Sequence, residues 1–473
     1  MEDTVATETK SIAGPVRLNL GYKVIWGVAG LGTALISGTF GALLTIFYQD
    51  YIGLEAGLIA LAMGIYAVWN AINDPLFGII SDNTRSRHGR RIPYMRYFAP
   101  FLALSFILVW FVPPQAGQGV KFWWMLITIC LYDGCYTMIG LVYSALLPEV
   151  TESDSERNDL QISSSLFGLL GMLGGFLIPD FVRPKAGTSA SLVPLQAAMV
   201  AIGILAALLI IITTLKVKER PEFQHTEAPL NLKDMLRYTF TSRSFIVLAL
   251  ANFMSILMQS LILAGVFYLA DYVLKMGTIS VLVFLFVPLI LGVPVTTLIR
   301  RRLGVVRAQQ ILLVVAGIGL VLIVVVPTPA ILFCLALAGF GLSGPQTLTN
   351  VLFAQVADED ELRSGVRREG AFFGTNALIT KPAQSLAGSL IPLVLAATHF
   401  VTREANGGQI FLNQPDSAIF GMKVLTGLIP GLAMLIGALI LQAYPLRSRR
   451  LQKMQQDLLA LHAKKQDQYA KMK

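Results

Sequence analysis

Charged residues are scarce in this chain. Only 14% of its 473 residues are Asp, Glu, Lys or Arg, whereas 55% are hydrophobic, and the mean hydropathy is +0.66. About a quarter of the residues in a soluble domain are charged, so this composition argues against a soluble globule. Disorder is excluded as well, because a solvated coil carries far fewer apolar side chains. The composition therefore indicates a polytopic membrane protein.

Cysteine and histidine are also rare. The three cysteines, Cys130, Cys135 and Cys334, lie in apolar stretches, which argues against a disulfide framework. The four histidines are scattered without the spacing of metal ligands. The Walker sequence GxxxxGK[ST] is missing, which argues against ATP-driven transport by this chain alone. We therefore expect no enzyme and no cofactor other than a coupling cation.

Long apolar stretches recur along the chain. A bilayer core about 30 Å thick needs about 20 apolar residues per helix. Six such stretches precede a polar segment at 216–243, and six follow it. We predict an all-α membrane fold of two six-helix bundles, at 21–215 and 244–443, between an N-terminal tail at 1–20 and a basic tail at 444–473. The predicted spans are 21–48, 53–80, 94–113, 121–147, 162–182, 193–215, 244–272, 279–299, 309–327, 329–357, 371–399 and 416–443.

Lysine and arginine cluster in alternate loops. With twelve helices, the basic loops all fall on the same side as the basic tail, and the other side carries only scattered cations. Basic loops stay in the cytoplasm, so we expect both termini there. The short loops favour a bacterial-type inner membrane. The net charge of +9 then reflects topology rather than nucleic-acid binding. We expect a monomer that meets membrane lipid and a small-molecule substrate.

The second predicted span contains a polar run, WNAINDPLFG at 69–78. Asn70, Asn73 and Asp74 share one helix face, at positions i, i+3 and i+4. Pro75 has no N–H and so frees a carbonyl one turn earlier. Carboxylate, amide and carbonyl oxygens suit a small cation or a proton. The alternative is a polar kink that packs against another helix.

Two further spans carry intramembrane charges. Asp133, Thr137 and Gly140 share a face of the fourth span, at i, i+4 and i+7. If this face meets the second span, Asp133 and Thr137 join the same site; otherwise Asp133 faces the outer water layer. Lys381, in the middle of the eleventh span, needs a carboxylate such as Asp74 or Asp133, or a water-filled cavity. A purely structural ion pair between the halves is the alternative.

Three motifs carry a resemblance to a known family. Two six-helix halves with a basic loop after the second helix resemble the major facilitator superfamily. Within it, NDPLFGIISDNTRSRHGRRIPY at 73–94 is similar to the glycoside–pentoside–hexuronide:cation symporter family, and YSALLPEVTESDSERNDL at 143–160 and ADEDELRSGVRREGAFFG at 357–374 agree. The resemblance implies two bundles that rock about a central cavity, with a cation site on helices 2 and 4 coupled to a neighbouring substrate site.

The resemblance carries over to the cation site in part. Asn73, Asp74 and Thr137 match family positions, whereas Asn70 stands where the sodium-coupled permeases have a second carboxylate. One carboxylate fewer weakens sodium binding in particular, unless Asp133 replaces it. Proton coupling, sodium coupling and no coupling therefore remain open.

The substrate positions depart further from the family pattern. Tyr136 and Lys381 match, but Gly140 stands where the family has an aspartate, and most other charged sugar ligands are missing. We expect Tyr136, Gly140 and Lys381 to line the substrate cavity. Because buried sugar hydroxyls need paired donors and acceptors, such a pocket suits a less hydroxylated or more amphipathic solute.

The resemblance also implies charged gates at the cytoplasmic end, with plain solvated loops as the alternative. The expected gate residues are Asp82 with Arg85, Arg90 and Arg91, and Asp358, Glu359, Asp360 and Glu361 with Arg363, Arg367 and Arg368.

These features lead to a functional expectation. We expect a secondary active transporter that symports a small organic solute, by family default a sugar or glycoside, with a proton or sodium ion through alternating access. Transport of an amphiphile such as a lysolipid is the alternative. A non-transporting membrane assembly factor or sensor is a further alternative.

Overall fold

The chain folds as a helical bundle in the computed structural model. Within the part of the chain that the model describes, twelve helices are long and apolar enough to cross a membrane, and the secondary structure is entirely helical. The predicted all-α class is therefore confirmed. The described residues are 18–83, 91–151, 154–184, 191–217, 240–364, 369–402, 406, 411–447, 450–458 and 460–461.

Six helices form the first half. Successive helices run in opposite directions, so α1 begins at the end of the bundle where α2 ends. We call this the basic end, because the basic loops of the sequence lie there. The helices are α1 (Leu20–Ile46), α2 (Ala56–Asn83), α3 (Ile92–Val109), α4 (Gln118–Val150), α5 (Asp154–Val182) and α6 (Val193–Lys216).

Six more helices form the second half. One of them, α10, extends beyond its predicted span, since it continues through the acidic run after residue 357. Hydropathy detects only the apolar part of a helix, whereas helical hydrogen bonding continues into polar ends. The helices are α7 (Arg243–Tyr268), α8 (Thr278–Leu303), α9 (Val305–Leu322), α10 (Ile331–Ser364), α11 (Glu369–Ala397) and α12 (Asp416–Ala443, with a π turn at Val424–Leu428).

The first helix of each half ends in a π turn. Phe47–Tyr51 extends α1, and Leu269–Leu274 extends α7. Both turns lie at the end of the bundle opposite the basic end. Single π turns within α-helices are often found at functional sites, so these two are candidates for a role beyond packing.

Helices α1 and α5 pack with their backbones in contact. A Cβ atom added to Gly171 would lie 2.4 Å from the carbonyl oxygen of Leu31, and one added to Gly175 would lie 2.5 Å from that of Leu35. Small residues allow this approach between helices that have no hydrophobic drive to associate in lipid.

The two halves meet along α2 with α11 and along α1 with α7. Ser389 on α11 donates a hydrogen bond to the Ala60 carbonyl at 3.4 Å. Nearby, the Met63 side chain fills the space where a Cβ of Gly388 would be. This interface brings the middle of α11, with Lys381, onto the polar face of α2.

Candidate functional site

An ion pair joins the two halves inside the membrane. Lys381 Nζ donates to Asp74 Oδ1 at 2.6 Å and lies 3.5 Å from Thr137 Oγ1. The side chains of Lys381 and Asp74 are 21% and 16% exposed. An unpaired charge at this depth costs at least about 2.5–3.5 kcal/mol, so the pair removes a penalty that either residue would carry alone. Asp74 is one of the two partners expected for Lys381.

Asp133 lies at the centre of a second group of polar contacts between α4 and α2. Asn73 Nδ2 donates to Asp133 Oδ2, and the Tyr66 hydroxyl donates to Asp133 Oδ1 at 3.0 Å. Asn73 Nδ2 also lies 3.4 Å from Thr137 Oγ1. Asp133 is only 5% exposed, so it does not face an outer water layer. Both hydrogen bonds to its carboxylate come from neutral donors.

Two amide oxygens in this group are buried and have no hydrogen-bond partner in the part of the chain that the structure describes. They are Oδ1 of Asn70 and Oδ1 of Asn73, on residues that are 2% and 0% exposed. The Asn70 amide nitrogen lies 3.5 Å from the Tyr66 hydroxyl, one helical turn away. A buried unsatisfied carbonyl-type oxygen costs about 1–3 kcal/mol. Such oxygens, beside the Asp133 carboxylate and the Thr137 hydroxyl, are the kind of ligand that hard cations take.

A cavity of about 300 Å³ opens between the halves next to Asp133. It runs along α1 from Ser37 to Thr45, two residues before the π turn. The second half contributes Ser260 and Gln384 to its wall. Apart from Asp133, its polar lining consists of hydroxyl and amide groups.

An aromatic wall forms one side of this cavity. Phe40 and Tyr132 stack with ring centroids 4.3 Å apart, and Tyr132 and Tyr136 stack at 5.8 Å. Phe176 and Met172 of α5 add to the apolar lining. Aromatic faces bind C–H surfaces and cations as well as other rings.

The three residues predicted to bind substrate lie in different places. Tyr136 lines the cavity. Gly140, one turn further along α4, is outside its lining, and no described atom beyond its own stretch of helix lies within 4 Å of the position that a Cβ there would take. Lys381 is also outside the lining and is held by Asp74.

Part of the predicted gates falls within the described residues. Arg91 immediately precedes α3 and is half-buried, whereas Asp358 and Glu361 lie on the last turns of α10. Arg363 pairs with Glu359 one turn earlier at 3.0 Å, within the same helix. The side chain of Asp82 and the residues Arg85, Arg90, Arg367 and Arg368 lie outside the described residues.

A charged cluster closes the opposite end of the bundle. Arg183, just after α5, is 3% exposed and donates from Nε to Asp180 Oδ1 at 2.8 Å. Its terminal nitrogens bind both carboxylate oxygens of Asp271, with Nη2–Oδ1 at 2.8 Å. Thr278 at the start of α8 donates to Asp180 at 2.9 Å, and the Arg183 guanidinium lies 4.5 Å from the centre of the Phe267 ring. These contacts join α5 to α7 and α8.

The two π turns take part in the same closure. The hydroxyl of Tyr272, in the turn after α7, donates to Asp50 Oδ2 in the turn after α1, at 3.1 Å. Tyr51 donates to the Pro184 carbonyl at 3.4 Å. We call Asp50, Asp180, Arg183, Asp271 and Tyr272 the opposite-end cluster. Sequence reasoning missed it, because acids and a single arginine at helix ends look like ordinary interfacial residues.

Comparison with known proteins identifies the family. The model of the MFS/sugar transport protein family matches residues 25–448. The chain belongs to this family. The predicted resemblance is therefore confirmed, together with the twelve-helix fold and multi-pass membrane location that it implied.

Three curated relatives match nearly the whole chain. The putative glycoside/cation symporter YagG of Escherichia coli K12 is 24% identical, covering 94% of this chain and 95% of its own. The isoprimeverose transporter of Lactiplantibacillus pentosus is 22% identical over 86% of each chain. The sodium-dependent lysophosphatidylcholine symporter 1 of Xenopus tropicalis is 23% identical, covering 93% and 90%. These relatives support the expected cation-coupled symport and leave the substrate open.

Solved structures share the fold at low identity. A bacterial homologue of the human lysosomal transporter Spinster, in an inward-facing and unoccupied conformation, matches with a TM-score of 0.65 and 11% identity, over 90% of this chain and 98% of its own. The D-xylose–proton symporter matches with a TM-score of 0.59 and 16% identity, over 89% and 96%. At these identities the likeness shows the major facilitator fold alone.

Proposed function

We propose that this protein is a cation-coupled symporter that moves a small organic solute through the cavity beside Asp133 by alternating access. The position of Asp133 carries the proposal. Its carboxylate lines the solute cavity and at the same time accepts hydrogen bonds from Tyr66 and Asn73. A cation bound among these side chains changes the charge on the cavity wall, so each bound species alters the affinity for the other.

The proposed cation site is made of Asn70, Asn73, Asp74, Asp133 and Thr137. Sequence reasoning centres this site on Asp74, but Asp74 already has a cationic partner in Lys381. We therefore place its centre towards Asp133, where the unpaired amide oxygens of Asn70 and Asn73 lie. The coupling ion is sodium if these oxygens replace its water ligands, and a proton if Asp133 is simply neutralised.

The proposed solute is a sugar or glycoside. The relatives named for glycoside and isoprimeverose transport support this class. In the cavity, hydroxyl groups of the solute would meet Ser260, Gln384 and Asp133, while the carbon face of a sugar ring would lie on Tyr136.

A lysolipid-like amphiphile is the second candidate, and the composition of the cavity favours it. Phe40, Leu44, Phe176 and Leu263 are among the lining side chains, and no arginine or lysine is among the described ones. The relative named for lysophosphatidylcholine symport supports this class. Such a solute would bury its chain against these residues and needs fewer polar partners.

The basic end is proposed to be cytoplasmic, with both termini there, in the inner membrane of a bacterial-type cell. The opposite-end cluster is closed, so the proposed state is inward-facing. The proposed substrate path to the cavity is lined by Tyr136, Gly140 and Lys381. No second subunit is needed to complete this path, and we propose that a monomer suffices.

Thermal unfolding of the purified protein tests the proposal. A panel of glycosides and lysolipids is added with sodium, with potassium, and across about pH 5–8. A ligand at about 100 times its dissociation constant stabilises the native state by about 2.7 kcal/mol. We expect a solute-dependent rise in unfolding temperature that grows with the coupling ion.

The variant Asp133→Asn decides whether the site is the coupling site. It should lose the ion-dependent part of the rise, whereas Asp457→Asn, which removes an exposed carboxylate from the tail, should keep it. A full ion-dependent rise in Asp133→Asn would refute the role given to Asp133. A rise with lysolipid alone, independent of sodium and pH, would replace the sugar by the amphiphile.

A further inference from the structure

A groove on the outer surface of the second half lies between α9 and α12, apart from the solute cavity. Its volume is about 840 Å³. Ile311 and Val314 of α9 form one wall, and Leu435 and Leu439 of α12 form the other. Three of these side chains, Ile311, Val314 and Leu439, are 43%, 37% and 60% exposed. In a membrane-spanning bundle such apolar side chains face hydrocarbon, so the groove suits an acyl chain.

The shape of the groove follows from the packing of these helices. A Cβ added to Gly431 would lie 2.9 Å from the Gly317 carbonyl oxygen, so the two backbones touch at this level. Nearer the basic end, the larger side chains at 311, 314, 435 and 439 line the space between the helices. Gln310 spans the floor there, because its amide donates to the Ala438 carbonyl at 3.1 Å.

The end of the groove nearest the basic end carries positive charge and amide side chains. Arg447, which follows the last turn of α12, lines the groove together with Gln310 and Gln442. Its Nη2 donates to the Leu441 carbonyl, but its Nε is buried and has no hydrogen-bond partner among the described residues. Arg307 is exposed and lies four residues before Ile311, on the same face of α9.

This arrangement matches one class of membrane lipid. A guanidinium binds phosphate with paired, charge-assisted hydrogen bonds. Arg307 and Arg447 together would repel the amine of a zwitterionic headgroup but attract a headgroup with net negative charge. Basic pockets between transmembrane helices at the cytoplasmic side bind anionic headgroups in this way.

We propose that this groove is a binding site for an anionic phospholipid. The phosphate lies at Arg447 with Arg307 beside it, and one acyl chain lies between Val314 and Leu439. The site is separate from the solute cavity, so lipid binding can be tested independently of the proposed transport activity.

Native mass spectrometry of the detergent-purified full-length protein tests this proposal. The probes are phosphatidylglycerol, phosphatidylcholine and inorganic phosphate. Phosphatidylglycerol should bind in preference to phosphatidylcholine, and inorganic phosphate alone should not compete with it. Arg447→Gln should weaken phosphatidylglycerol binding roughly fivefold to tenfold, since each basic side chain near the surface contributes on the order of 1 kcal/mol. Lys216→Gln, which removes an exposed charge at the same end of the first half, should leave it unchanged.

A second variant separates the groove from the stability of the protein. Val314→Trp fills the apolar part and leaves Arg447 in place, so it should weaken phosphatidylglycerol binding while the protein stays folded. Equal binding of the two lipids to the wild type would overturn the proposal. So would equal losses in Arg447→Gln and Lys216→Gln, which indicate diffuse surface electrostatics, or full binding in Val314→Trp.

Discussion

Lys381 and Asp74 are 307 positions apart in the chain, yet their charged groups lie 2.6 Å from each other in the middle of the bundle. The pair joins α11 of the second half to α2 of the first. Because the halves must move relative to one another in alternating access, this contact is a candidate to change between states. Its energetic coupling can be measured.

A double-mutant cycle measures that coupling. Removing one member of a buried pair costs about 3–5 kcal/mol, and the partial exposure of both side chains places the expected cost of Lys381→Met or Asp74→Asn nearer ~2 kcal/mol. The double variant should lose less than the sum of the two, with a coupling of at least about 1 kcal/mol, because neither charge is then left alone. Thermal unfolding in detergent gives the values. Additive losses would show that the two residues have no energetic coupling. Lys453→Met, at an exposed helical position in the tail after α12, serves as the control.

Asn70→Asp tests which ion the site prefers. Asn70 is 2% exposed and stands where the resemblance places a second carboxylate. An added negative charge should strengthen sodium binding, because a dehydrated cation gains more from two carboxylates than from one. We expect a larger sodium-induced rise in unfolding temperature than in the wild type, measured against potassium at equal ionic strength.

Asn252→Asp provides the matched control for that variant. Asn252 lies on α7, donates to Asn376 Oδ1 at 3.2 Å and is not one of the residues of the proposed cation site. The Asn252→Asp variant should show no larger sodium-induced rise in unfolding temperature than the wild type. Equal sodium responses in Asn70→Asp and the wild type would argue against sodium binding at Asn70.

The polar residues inside the membrane were the part of the site most accessible from sequence. Asp74, Asp133 and Lys381 stand out because a charge in an apolar span needs a partner, and helical spacing groups Asn73 with Asp74. The structure brings these residues together, while their roles in coupling stay predictions. The long apolar runs likewise predict the helices, with errors at their ends: α5 and α10 extend beyond the predicted spans, whereas α3 and α9 end before theirs do.

The rest of the site depends on tertiary packing. Arg183 meets Asp271 across 88 positions of sequence, and nothing in either helix end signals the other. Phe40 and Tyr132 resemble ordinary core aromatics, and only their stacking across α1 and α4 makes them a cavity wall. Gly140 is predicted from a family position, but it lies outside the cavity lining, although Asp133 on the same helix face belongs to it.

Gly171→Ala should destabilise the contact between α1 and α5. The new methyl group would lie 2.4 Å from the Leu31 carbonyl oxygen, so the helices must separate, at a cost of about 1–3 kcal/mol. Gly168→Ala, one turn earlier on α5, has open space around its Cβ position and should be neutral or slightly stabilising. Unfolding of both variants in detergent checks the contrast. Equal stabilities would mean that α1 and α5 are not held at backbone distance.

Arg183→Ala should loosen the closure at the opposite end. The substitution removes the hydrogen bonds to Asp180 and Asp271 and leaves both carboxylates without their guanidinium. Loss of even about 1 kcal/mol from the closed state shifts the population about fivefold towards opening. Ser260, which lines the cavity, reports this opening when it is changed to cysteine and Cys130, Cys135 and Cys334 are replaced.

A membrane-impermeant thiol reagent, applied from the opposite end in sealed vesicles, should label this cysteine about fivefold faster in Arg183→Ala than in its parent. Lys275→Asn, in the exposed loop after the second π turn, is the matched control; asparagine tolerates the left-handed backbone there, where φ is 51°. Arg183→Lys keeps the charge but loses the paired hydrogen bonds to the carboxylate. Its labelling rate should therefore fall between that of the parent and that of Arg183→Ala. If Arg183→Ala labels no faster than Lys275→Asn, the contacts of Arg183 do not hold this end closed, and the closure must rest on the other contacts of the π turns.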